Sequence, residues 1–147
     1  MLKLSLIGAI LVAITVVIHA VGTTVWLGMV IRRVAASGGW QAMLAMTILI
    51  RTVLILVALH ILEIVLWAVA YRTMVPDDEL ATFEQAVYFS FVTFTTLGYG
   101  DITLSESWRL LSGIEALNGI LLVGWTTAMI FAVVQRIWQG LKSNNKN

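Results

Sequence analysis

Three long apolar stretches constrain this chain more than anything else in it: about Leu4 to Ile31, Met43 to Tyr71 and Leu110 to Trp138. A bilayer core is about 30 Å thick, and a helix needs about 20 apolar residues to cross it. Each stretch is long enough. A soluble domain of this size carries about 25% charged residues, whereas here 12% of 147 residues are charged and 60% are hydrophobic. Most of the surface must therefore face lipid, and the expected fold is an all-α integral membrane protein with three transmembrane helices. The first stretch starts, like a signal peptide, with a charge (Lys3). Its apolar part is too long, however, and no small-x-small cleavage site precedes Arg32, so it reads as a retained helix. A net charge of +1 argues for neither nucleic-acid nor acidic partners, and none is expected. The absence of cysteine excludes disulfides, thiolate metal sites and thiol nucleophiles.

Between the first two stretches lies IRRVAASGGW, read as a turn, with Arg32 and Arg33 marking it as cytoplasmic; Arg136, Lys142 and Lys146 mark the far end likewise. The N-terminus then lies outside in a plasma-membrane, multi-pass protein, and residues 72–108 face outside or dip in from there. Trp26, Trp40, Trp108 and Trp138 fall near span ends and read as interfacial anchors. Arg51 lies inside the second stretch and reads as a snorkelling side chain in contact with lipid phosphates. The acidic PDDE, Pro76 to Glu79, suits a solvated loop.

ATFEQAVYFSFVTFTT follows. Its Val, Tyr, Phe and Thr favour strands, but an open strand edge in lipid leaves backbone groups unpaired, so a short re-entrant helix is expected. Thr82 is its N-cap and Glu84 lies in its first turn. It stops at TTLGYGD, residues 95–101. Non-helical backbone at this depth is tolerable where it lines a watery path. Left-handed dihedrals at alternate residues turn successive carbonyls the same way, and Gly98 and Gly100 adopt them without steric cost. Such a run offers oxygens that replace an ion's water shell, with Leu97 and Tyr99 wedging it from behind.

TTLGYGD resembles the potassium-channel filter, T-V/I-G-Y-G followed by Asp. The wider run AVYFSFVTFTTLGYGD resembles the pore helix and filter of bacterial and two-pore-domain potassium channels. The resemblance covers about residues 81–138. It implies K+ bound at Thr96, Leu97, Gly98 and Tyr99, with Gly100 completing the filter, Asp101 at the outer mouth, and a homotetramer, since one chain carries one filter. It also implies an inner helix with Gly119 at a hinge or packing position, Gly124 near it, and Ile120, Val123, Thr127 and Phe131 facing the cavity. There are three departures. Leu97 replaces Val or Ile, Tyr88 and Phe89 replace a bracing tryptophan pair, and Val92 replaces a glutamate that pairs with the outer aspartate. The organisation expected is an extra helix and loop (1–40), a pore module (41–138) and a short cytoplasmic tail (139–147), too short for a ligand-binding domain.

Ionisable groups inside a membrane are costly and often functional. Glu63 falls about 13 Å below Arg72 and Glu115 about 10 Å below Trp108. Glu63 or Glu115, with His60 three residues from Glu63, is expected to pin the re-entrant helix and make opening pH-sensitive, or else to form structural hydrogen bonds. His60 and Glu63 on one helix are too few for a metal site, and His19 has no partner visible in sequence. Phe83, Phe89, Phe91 and Phe94 read as packing. No catalytic constellation appears and no cofactor is expected. The leading function is passive, K+-selective conduction, in contact with membrane lipid. The alternatives are a weakly selective cation channel, a non-conducting regulatory subunit, or a subunit of a potassium uptake transporter.

Overall fold

The computed structural model describes residues 2–37, 41–76 and 79–144, with side chains as far as Lys142. Among these residues the chain is all helical, with no strand: α1 (Leu2–Ala36), α2 (Ala42–Met74), α3 (Phe83–Phe94) and α4 (Arg109–Asn144). Helices α1, α2 and α4 are long and apolar enough to cross a membrane. At 1.5 Å per residue each is about 50 Å long, well beyond a bilayer core of about 30 Å. Their ends therefore overshoot the apolar stretches. Arg32 and Arg33 lie on the last turns of α1 rather than in a turn, and the expected tail continues α4 to Asn144. Trp40, Lys146 and the two aspartates of PDDE lie outside the described residues.

Two apolar clusters fix how the helices run. One gathers Trp67 and Tyr71 near the end of α2, Phe89 and Phe94 of α3, and Leu111 and Leu122 of α4, with Leu11, Val12 and Val16 of α1 against it. The other holds Trp26 and Val30 of α1, Ala45 and Ile48 of α2, and Val133 and Ile137 of α4. So α1 and α4 run parallel and α2 runs antiparallel to both, with α3 enclosed between α2 and α4 at the first cluster. Burying a large side chain such as Trp67 contributes about 2–3 kcal/mol against exposure to water, but lipid is as apolar as a core. In lipid, polar contacts and close packing decide which faces meet.

The buried face of α1 shows that selection. It is Gly8, Thr15, His19, Thr23, Trp26 and Val30, whereas Leu6, Ile10, Val17, Val21 and Val25 point outward. The hydroxyl of Thr15 accepts from Asn118 Nδ2 on α4 at 2.9 Å. Trp26 Nε1 donates to Thr52 Oγ1 on α2 at 2.9 Å. Trp26 is thus buried between helices and is not the interfacial anchor its position in the sequence suggested; Trp138 is exposed.

The start of α3 is set by Thr82. Its hydroxyl accepts from Gln85 N, while Gln85 Oε1 accepts from Thr82 N, a reciprocal capping box. Helix α2 ends at Met74, and its cap Val75 is extended, as the restricted residue ahead of Pro76 requires. Glu79 then accepts from Ser105 N at 2.7 Å, tying the approach to α3 to the approach to α4.

Candidate functional site

Helix α3 ends in a Schellman arrangement. Leu97 N donates to Val92 O at 2.9 Å, and Thr96 N donates to Thr93 O at 2.9 Å. That closure needs a left-handed residue at Thr96, whose φ is +58°. Glycine usually occupies this place, and a β-branched residue there costs about 1–3 kcal/mol. Gly98 at φ +55° and Gly100 at φ +78° follow. Left-handed residues therefore alternate at 96, 98 and 100, and Leu97 and Tyr99 between them are not left-handed. Leu97 and Tyr99 line one open cleft with Val87, Tyr88, Phe91 and Val92 of α3, and these two residues are 54% and 67% exposed in the single chain.

Asp101 has a partner, although Val92 stands where the resemblance implied a paired glutamate. Tyr88 Oη donates to Asp101 Oδ2 at 2.7 Å. That bond favours the carboxylate and holds Asp101 below its ordinary range.

Behind this segment α4 crosses the end of α3 at Gly119. A Cβ at that position would stand 1.9 Å from the carbonyl oxygen of Phe94. Close backbone packing accounts for the glycine without a hinge. Ile120, Val123, Thr127 and Phe131 are all exposed along α4, and Thr127 hydrogen-bonds back to Val123 O.

Two buried polar clusters hold the helices around this segment. In the first, Ser90 of α3 lies between Ile64 O, at 2.9 Å, and Glu115 of α4, which also accepts from Tyr71 Oη at 2.7 Å. Glu115 thus ties α3 to α2 and α4. Glu63 does not bond to α3. In the second cluster its two oxygens meet His19 Nδ1 at 2.9 Å and His60 Nδ1 at 3.0 Å. The outer nitrogens of both rings reach Thr126 Oγ1 on α4, at 2.9 Å from His60 and 3.4 Å from His19. His60 also contacts α3 through its edge-on ring contact with Phe94. Sequence reasoning missed His19, Tyr71, Ser90 and Thr126. One signal was present: Thr15, His19 and Thr23 recur every fourth residue, a polar stripe on an otherwise apolar helix. Of the phenylalanines, Phe89 and Phe94 are buried as packing, while Phe83 and Phe91 are exposed.

A short helix enclosed by long apolar ones, closed by a strained non-helical segment, defines a membrane protein built around a pore loop. A family model described as "Ion channel" matches residues 58–136, over half of the chain. The chain belongs to that family of ion channels and is a multi-pass membrane protein. No curated protein and no solved structure matches it.

Proposed function

We propose that the chain is a potassium-selective channel subunit, four copies of which surround one pore. The observation that carries this reading is the alternation of left-handed backbone at Thr96, Gly98 and Gly100. Successive carbonyls on one side of an extended run give stacked rings of oxygens when four chains meet, with the hydroxyl of Thr96 at the inner end. K+ would bind at Thr96, Leu97, Gly98 and Tyr99, and Asp101 would face the outer mouth. Ile120, Val123, Thr127 and Phe131 would line the cavity below. A neighbouring copy would cover the cleft at Leu97 and Tyr99, wedging the filter from outside. The arginines near the end of α1 and the cations at the end of α4 orient both ends to the cytoplasm of a plasma-membrane channel, leaving the N-terminus outside.

The test is ion flux into liposomes containing the purified protein, under potassium and then sodium gradients, with Gly98→Ala alongside. A Cβ at a residue of φ +55° is strained and disturbs the carbonyl row. The expected result is potassium flux far above sodium flux, abolished by the substitution. Equal fluxes would return the weakly selective reading. No flux from an assembled protein would favour the silent subunit or the uptake-transporter subunit.

A further inference from the structure

His19, His60, Glu63 and Thr126 come from three helices, α1, α2 and α4, and none of them belongs to the candidate filter. His19 and Glu63 side chains are fully buried and that of His60 is 16% exposed. Their contacts leave an imbalance. With Glu63 as a carboxylate and both imidazoles neutral, three polar hydrogens are available, one on each ring and one on Thr126. Four contacts share them: two from the rings to Glu63 and two from the rings to Thr126. One contact lacks its hydrogen. An unmet contact among these largely buried groups costs up to about 1–3 kcal/mol, and a single cation removes the deficit.

We propose that His19, His60 and Glu63 form a binding site for a divalent metal ion of the zinc class, with Thr126 as its outer support. Both rings turn the same atom, Nδ1, toward the carboxylate. One ligand atom from each of the three residues lies within 4.8 Å of the others, and the two nitrogen–oxygen separations are 2.9 and 3.0 Å. Bonds of about 2.0–2.2 Å in a tetrahedral site set ligand atoms about 3.3 Å apart, so sub-ångström to ångström shifts complete the set. With an ion at both Nδ1 atoms, each ring carries its hydrogen on Nε2. Both hydrogens then point at one hydroxyl, and Thr126 has two lone pairs to accept them. This is the outer-shell bond that ligating histidines ordinarily make. Two imidazoles and a carboxylate suit zinc or cobalt(II) rather than calcium or magnesium, which take oxygen ligands, and the chain has no thiolate for copper(I). The third ligand, His19, comes from α1, outside the family match at residues 58–136. The ion would clamp α1 to the channel module. The partly exposed His60 marks the side from which it enters.

The experiment uses untagged full-length protein in detergent, titrated with cobalt(II) and followed by its ligand-field absorption, then with zinc as competitor. Expected are one ion per chain and the strong visible bands of a low-coordinate site, lost in His19→Asn and Glu63→Gln. Thr126→Val keeps all three ligands and should weaken binding about 10–100-fold. Zinc should raise the unfolding temperature of the wild type and leave that of Glu63→Gln unmoved. The proposal is overturned if cobalt gives only weak octahedral bands, or if the substitutions leave binding unchanged. Either result would mean that the three side chains hold no metal ion and serve only to hydrogen-bond α1 to α2. None of these readouts depends on conduction, so the metal site and the channel reading stand or fall separately.

Discussion

At the scale of single residues, Thr96 carries a conflict between folding and function. It closes α3 in a left-handed conformation that glycine would adopt freely. Relief of that strain should make Thr96→Gly more stable by about 1 kcal/mol. The same change removes the hydroxyl at the inner end of the proposed filter and loosens a backbone that must hold its carbonyls in place. Thermal unfolding and the potassium-to-sodium flux ratio, measured on one preparation, should therefore move in opposite directions. A variant that is less stable, or that keeps full selectivity, would show that the threonine is there for another reason. The left-handed glycines were legible because glycine announces its own freedom. Thr96 was legible only as a filter position, since nothing in a threonine announces a positive φ. Likewise Thr82 was readable as a cap, a local matter of four residues, whereas His19 finds its carboxylate 44 positions away, a separation that no local pattern encodes.

At the scale of elements, hydropathy located the three spans but not their true ends, and the cost of an open strand edge in lipid pointed to the short helix. Helices continue into polar sequence as long as backbone hydrogen bonds are made, so Arg32 and Arg33 stay helical. What apolar content could not reveal was which face of each helix is buried, because both faces are apolar and lipid accepts either. The structure resolves this at α4, where two glycines five residues apart have different surroundings. At Gly119 an added Cβ collides with the Phe94 carbonyl, while at Gly124 it meets nothing within 4 Å. Gly119→Ala should force α4 off the end of α3, costing about 1–3 kcal/mol by overpacking and abolishing flux. Gly124→Ala should be neutral or stabilising by up to about 1 kcal/mol, because alanine is the better helix former. Unfolding midpoints of the two variants decide the matter. If Gly119→Ala keeps wild-type stability and changes only open probability, the glycine is a hinge and not a packing contact.

At the scale of the whole molecule, the sequence could not say whether the first helix rests on its own chain or on a neighbour. Here α1 packs on α2 and α4 of the same chain, through the Thr15–Asn118, His19–Glu63 and Trp26–Thr52 bonds. That leaves the face of α4 at Ile120, Val123 and Phe131, and the cleft beside Leu97 and Tyr99, uncovered within one chain. These surfaces lie beside the non-helical segment and along α4 beyond it, where symmetric copies of a single-loop subunit must meet if they enclose a pore. The number of copies has a quantitative signature. Suppose wild-type and Gly98→Ala chains are co-expressed in equal amounts and mix freely, and one defective strand blocks a pore. A four-chain ring is then all wild-type in about one case in sixteen, a two-chain assembly in about one in four, and a lone chain in about one in two. Potassium flux per unit protein should fall to about one sixteenth of the wild-type value. A fall to a quarter or a half would overturn the fourfold arrangement, whatever the selectivity of the pore.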